Sequence, residues 1–401
     1  MADNPKLSTQ NSALPVLFVS TYTGLGGGET SLLQMVSRLD PARWTPHLLV
    51  PAEGPLADRW RAQGWPIHVL RWRPAMPIFI PAIWARFPVV GRMADLLRRE
   101  GFAAVHVDYH AMPLIVPPCE RQGIPWLWTC HGWWLRPRPW QRGLFRRAGH
   151  TFAVSQAAKD GFLGDPPFMP PERVEVRFLG VDVDRFRPGL DGSAVRRELG
   201  VTAEARVVTI LGRFQPVKGH LNFVQMAARL APLYPDLRFW IVGDNVLDGL
   251  VGDRYKAAVY AAVQADPLLR ERVTFVGFRS DPERVLAATD VLVCASDFES
   301  FGMAHVEAMA CGVPVVSTNR GGPAEIVRDG ETGLLVPPHD PTALAEAVRR
   351  LLDSPALRQS MGQAGRARAE AVLAVEHYAA RFDAVLNAIS RQNAPALSAG
   401  E

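Results

Sequence analysis

The chain has 401 residues, 48% hydrophobic and 21% charged, with a net charge of +4. That length exceeds one ordinary core and suits two domains of about 200 residues. The composition is that of a globular protein, and it excludes a disordered or collagen-like chain. No apolar run approaches the ~18 residues of a membrane span. The segment Met1 to Leu14 is polar, lacks a signal core, and reads as a disordered lead-in. Cys119, Cys130, Cys294 and Cys311 form no C-x-x-C pair and no metal spacing, the pattern of reduced thiols in a cytoplasmic protein.

Both halves alternate short β-branched runs with helical periods, which predicts two α/β units with parallel sheets. In residues 15–187 the predicted strands are Val16–Ser20, His47–Val50, Val105–Asp108, Trp126–Cys130, Thr151–Val154 and Val174–Phe178. Gly24-Leu25-Gly26-Gly27-Gly28-Glu29 follows the first strand and opens a helix. Its glycines permit close backbone approach to a phosphate or sugar. The loop superficially matches the dinucleotide fingerprint, but Glu29 stands where Gly or Ala belongs. The acidic residue that fingerprint needs about 20 positions on has only the late Glu53 as a candidate. A dinucleotide-dependent oxidoreductase and a plain strand-to-helix turn are the alternatives at this loop. Thr129-Cys130-His131-Gly132 ends a strand, so His131 is expected at a sheet tip, and the same logic touches Ser155.

Charge divides unevenly, with 22 Lys+Arg against 15 Asp+Glu in residues 1–187 and 22 against 25 in residues 188–401. Two acid-free tracts stand out. Arg59 to Ala94 mixes six arginines with Trp60, Trp65, Trp72, Phe79, Trp84 and Phe87. Arg121 to Lys159 mixes Arg136, Arg138, Arg142, Arg146 and Arg147 with Trp126, Trp128, Trp133, Trp134 and Trp140. Such mixing suits an anionic membrane surface. A solvated face above a tryptophan-rich core is the competing reading. A nucleic acid is served by the pattern in principle but is not expected as a partner.

A linker is predicted at Asp184 to Ser193, where Pro188, Gly189 and Gly192 cluster. In the second unit, residues 188–373, strands are predicted at Val207–Leu211, Leu237–Val242, Val273–Val276, Val291–Cys294 and Val313–Thr318. The first runs into Gly212-Arg213-Phe214-Gln215-Pro216-Val217-Lys218-Gly219, so Arg213 and Lys218 leave a sheet tip together, where open α/β sheets bind ligands. Between Glu299 and Gly312 the chain reads as loop, then helix from Met303 to Ala310. Gly302 opens the backbone at the helix start, where unpaired N–H groups attract an anion. Glu307 lies five residues on, roughly 7 Å along the axis, where a carboxylate accepts from both hydroxyls of a ribose. Glu299 then faces whatever hangs off a diphosphate at the tip. A final amphipathic helix is predicted over 374–392, with Val375, Tyr378, Phe382, Val385 and Ile389 on one face, and 393–401 reads as a disordered tail.

The run from Glu299 through Val316 resembles the signature of family-4 glycosyltransferases, retaining enzymes of the GT-B fold. The resemblance implies two Rossmann-like domains facing across a deep cleft, with the last helix crossing back to the first domain. It implies transfer of a hexose-type sugar from a UDP- or GDP-sugar to a glycan, lipid-linked or small-molecule acceptor. Transfer is expected to need no metal, because Arg213, Lys218 and the helix tip would supply positive charge. By resemblance the catalytic group is His131, Glu299, Arg213 and Lys218. The donor would be held by Gly27, Gly28, Arg213, Lys218, Phe278, Glu299, Ser300, Phe301, Gly302, Met303 and Glu307. Gly321-Gly322-Pro323-Ala324-Glu325 resembles a family segment expected beside the diphosphate. Asp182-Val183-Asp184 matches a metal-holding D-x-D of the other large glycosyltransferase fold, but here it sits in a Gly180–Pro188 run resembling a family segment before the linker. Leu179 replaces the family's usual Asn. The rival readings are a GT-B epimerase or phosphorylase and a non-catalytic protein that kept the donor pocket. The implied location is cytoplasmic, with contact at the inner membrane face.

Overall fold

The computed structural model describes residues 13–72, 87–132, 135–245 and 249–392. Most of the predicted lead-in, the predicted tail, and Phe79, Trp84, Trp133 and Trp134 lie outside the described residues.

The first sheet contains β1 (Leu14–Val19), β2 (Trp44–Val50), β3 (Ile67–Val69), β4 (Ala104–His106), β5 (Trp126–Cys130), β6 (His150–Ala153) and β7 (Val174–Val176). Its order is β3-β2-β1-β4-β5-β6-β7 and every pairing is parallel. The helices between are α1 (Gly27–Val36), α2 (Pro55–Arg61), α3 (Pro88–Glu100), α4 (Met112–Arg121), α5 (Pro139–Phe145) and α6 (Gln156–Leu163). The second sheet contains β8 (Arg206–Leu211), β9 (Leu237–Val242), β10 (Val273–Gly277), β11 (Val291–Cys294), β12 (Val315–Thr318) and β13 (Gly333–Val336). Its order, β10-β9-β8-β11-β12-β13, is also all parallel. Here the helices are α7 (Ser193–Glu198), α8 (His220–Leu230), α9 (Gly249–Gln264), α10 (Pro267–Arg272), α11 (Pro282–Ala287), α12 (Met303–Ala310), α13 (Pro323–Ile326), α14 (Pro341–Asp353), α15 (Pro355–Val372) and α16 (Val375–Gln392). In both sheets the strand order reverses beside the first strand. The crevice at the strand tips there is where such sheets bind ligands.

Strands buried on both faces explain the near-continuous apolar runs: Val16, Leu17 and Phe18 are fully buried, as are Leu292 and Val293. The two short edge strands, β3 and β13, escaped the sequence reading. Leu14, assigned by sequence to the lead-in, already pairs with Trp44 in β1.

The chain crosses between the domains twice, side by side. Val181 N–H donates to Leu373 O at 2.8 Å, and Val375 N–H donates to Val181 O at 2.9 Å. After the return crossing α16 packs on the first sheet. Phe382 stacks on Phe18 and Phe152 with ring centroids 6.0 and 5.9 Å apart. Asp383 accepts from Arg43 at 2.8 Å, and Arg381 pairs with Glu175 at 2.8 Å.

Candidate active site

Residues from both sets of strand tips meet in the cleft. On the second domain, Gly302 caps α12 with φ 103°, a left-handed value. A Cβ there would lie 2.4 Å from His305 Nδ1, so glycine is required both for the turn and for space. His305 is locked beneath, its Nε2 2.7 Å from Ser317 Oγ. This fixes the helix start and leaves its first N–H groups facing the cleft. Ser300 Oγ is buried with no hydrogen-bond partner among the described residues. A buried hydroxyl left unmet costs ~1–3 kcal/mol, which a ligand would recover.

Glu299 sits just before that turn. Its Oε2 accepts from Lys218 Nζ at 2.6 Å and from Ser296 Oγ at 3.3 Å. Burial pushes the Glu299 carboxyl up, but the Lys218 ammonium outweighs it and holds the pKa below the ordinary value. Arg213, at the tip of β8, has no ion pair or side-chain hydrogen bond among the described residues. It is a cation held at the cleft without a bonded counterion. Glu307 is buried on α12, and no hydrogen bond reaches its carboxyl among the described residues. Burial raises its pKa to about 7, against the pull of Arg185.

The first domain reaches across. A Cβ on Gly27 would lie 3.4 Å from Met303 Cγ, so the glycine loop touches the start of α12. Gly28 follows on α1, whose N-terminus is closed by Gly26 N–H donating to Glu29 Oε2 at 3.0 Å. Burial raises the Glu29 pKa, with Asp108 adding to the shift and the backbone bonds and Arg213 opposing it. His131 follows β5 and is exposed at the strand tip. Surrounding protein atoms lower its pKa, which favours the neutral ring, while Asp108 opposes that shift. Asp108 is a site residue the sequence reading passed over. It follows β4, accepts from Thr21 N–H at 2.9 Å, and is the carboxylate acting on His131. An acidic residue at a predicted strand tip was the available signal.

Some predicted residues sit differently. Phe301 is 3% exposed and tilts against Phe178 of the first domain, so only its backbone can face a ligand. Phe278 is 57% exposed after β10, beside the strand tips. Glu325 ends the segment expected beside a diphosphate, and its carboxylate accepts from Gln156 N–H at 2.8 Å and Ala157 N–H at 2.9 Å, capping α6 of the opposite domain. Ser155 caps the same helix by accepting from Ala158 N–H, and donates to Ser300 O at 2.6 Å. The segment Gly321-Gly322 does brace the tip loop, through Gly322 N–H to Glu299 O at 2.8 Å. Asp182 accepts from the backbone N–H groups of Asp184 and Arg185 and pairs with Arg38 at 3.0 Å, a structural role for the D-x-D.

Two family models divide the chain at the linker. The model for glycosyl transferases group 1 matches residues 193–368, and that for glycosyltransferase family 4 matches residues 25–185. Both halves of the chain thus match glycosyltransferase models, and the two together cover most of its length. The fold is GT-B. Anabaena HepE, solved with UDP and glucose, superposes with a TM-score of 0.79 at 23% identity, covering 93% of this chain and 99% of that one. A glycosyltransferase from Rickettsia africae gives 0.81 at 19% identity, covering 94% and 98%. Among curated relatives, the D-inositol 3-phosphate glycosyltransferase of Mycobacterium sp. strain KMS is 40% identical over 212 residues, 52% of this chain and 44% of that protein. That of Acidothermus cellulolyticus is 39% identical over 197 residues, 48% and 43%. The chain thus spans under half the length of these curated relatives. The paired Glu299 and Lys218, the tip of α12 and Glu307 all lie in the part matched by the group 1 model.

Proposed function

We propose that this protein is a retaining glycosyltransferase that uses a nucleotide-diphosphate sugar and needs no metal for transfer. The observation that carries the reading is the half-buried Glu299–Lys218 pair at the tip of α12, with the Gly27 loop of the other domain laid against Met303. The diphosphate would occupy the helix tip between Arg213 and Lys218, and Ser300 Oγ would gain a partner. Glu307 would accept from the ribose hydroxyls. Glu299 would hold sugar hydroxyls, and neutral His131 would orient the donor.

Arg213, Lys218 and the N–H groups of α12 stabilise charge where it develops on the leaving phosphate. In same-face transfer the bond from the anomeric carbon to the phosphate oxygen breaks and the bond to the acceptor oxygen forms. The acceptor's proton passes to the departing phosphate. Uridine is the first base to try, since a protein of this fold was solved with UDP. We read the acceptor as a glycan or lipid-linked sugar. The curated relatives' names make a phosphorylated polyol the second acceptor to assay.

Calorimetric titration of UDP, GDP, ADP and NAD into wild type and Glu307→Ala tests the donor site. Binding of one nucleoside diphosphate in the presence of chelator, lost in the variant, is the expected result. Binding of NAD alone, or binding that ignores the substitution, would overturn it.

A further inference from the structure

At the outer edge of the first sheet, two histidines face each other. His47 lies in β2 and His68 in β3. Leu49 pairs with His68, and residues 47 and 49 share a face, so both imidazoles stand on the same side of the sheet. His47 Nδ1 and His68 Nε2 are 3.0 Å apart, with the rings 19° from parallel. Glu100, the last residue of α3, brings a carboxylate to the same spot. One ligand atom from each of the three residues lies within 4.8 Å of the others. Phe102 closes the apolar side, edge-on to His47 at 5.1 Å and to His68 at 6.2 Å.

We propose that His47, His68 and Glu100 form a site for a divalent transition-metal ion of the zinc type, which ties the edge strand β3 to the end of α3. Two imidazole nitrogens and one carboxylate oxygen form a ligand set that such an ion takes, with water in the fourth position. Magnesium and calcium prefer oxygen throughout. A tetrahedral ion about 2.1 Å from each nitrogen would set them about 3.4 Å apart, so the pair need open by only about 0.4 Å. The carboxylate and the negative end of the α3 dipole both favour a cation there. Burial lowers the pKa of both histidines, which keeps them in the neutral, ligand-competent form near pH 7. An N–H···N bond between the rings accounts for the 3.0 Å spacing but gives Glu100 no part. The site is remote from the cleft: Glu100 precedes β4 by four residues, at the end of the sheet opposite the strand tips.

The test uses tag-free, metal-stripped full chain, as wild type, His68→Gln and Glu100→Gln. Cobalt uptake is followed by visible absorption, and zinc uptake by calorimetry and melting temperature. Retained nucleoside-diphosphate binding verifies that each variant is folded. Expected are one equivalent of metal in wild type, a raised melting temperature, and affinity at least about tenfold weaker in each variant, since loss of even a supporting residue costs that much. Failure of folded wild type to take one equivalent, or undiminished affinity in either variant, would overturn the site.

Discussion

Glu307 shows what burying a carboxyl with no hydrogen-bond partner among the described residues costs a protein. Its carboxyl titrates near 7 when folded, against about 4.3 in an unfolded chain. The folded protein therefore holds the extra proton between those values. The resulting stability is fully present below about pH 4.5 and is lost as pH rises through 7, a change on the order of 3 kcal/mol. A ribose diol needs the ionised form as acceptor, so donor affinity should move the other way and strengthen as pH rises through 7. Glu307→Gln removes the titration. Thermal melts should show it more stable than wild type by roughly 3 °C at pH 8 and no better at pH 5. Its donor affinity should be weaker by about tenfold at pH 8 and lose its dependence on pH. A variant that keeps the wild-type pH dependence would rule Glu307 out as the titrating group.

Among elements, the contact of α6 with the second domain stands out. Glu325 and Ser155 both satisfy N–H groups at the start of α6, yet they come from opposite domains. A carboxylate at a helix N-terminus is worth ~0.3–1 kcal/mol at an exposed site. Here that stabilisation exists only while the domains are in register. Glu325→Gln should therefore raise the donor or acceptor KM severalfold, with melting temperature nearly unchanged; steady-state kinetics beside thermal melts would check this. A large drop in melting temperature with unchanged KM would instead mark a purely structural cap. This role was not legible in the sequence, because the cap is supplied from 168 residues away. Local elements were far more legible. The helix Met303–Ala310 could be bounded from Gly302 and Gly312 alone, because both terminators are local. The long buried strands announced themselves as apolar runs, whereas β3 is three residues at an edge and β13 opens on glycine, too little pattern for a period to register. Within the site, Glu299 and Lys218 were each readable as candidates. Their 2.6 Å pairing and the burial of the Phe301 ring depend on tertiary packing.

At the scale of the whole molecule, the basic first domain invites a membrane, but many of its arginines are otherwise engaged. Arg146 donates to Phe168 O, Arg147 pairs with Glu120 at 2.8 Å, and Arg142 donates to Pro137 O at 3.2 Å. Trp60, Trp126 and Trp128 are core residues. Among the described residues of these tracts the Trp140 ring is 55% exposed, with Arg138 above it at 5.3 Å, and Phe87 is 45% exposed. No helix among the described residues is long and apolar enough to cross a membrane. If the surface is used, anionic vesicles should sediment the protein, salt should release it, and Trp140→Ser should weaken binding severalfold. Equal, poor sedimentation with neutral and anionic vesicles would remove the membrane from the account. The position of α16 has a different consequence, in time rather than space. Phe382 fills the first sheet's core, yet it is made 206 residues after Val176, the end of that domain's own last strand. At roughly 5–20 residues per second, the nascent first domain spends about 10–40 s on the ribosome with an apolar face uncovered. That interval, more than the stability of the finished protein, is where chaperone demand and low-yield expression would arise.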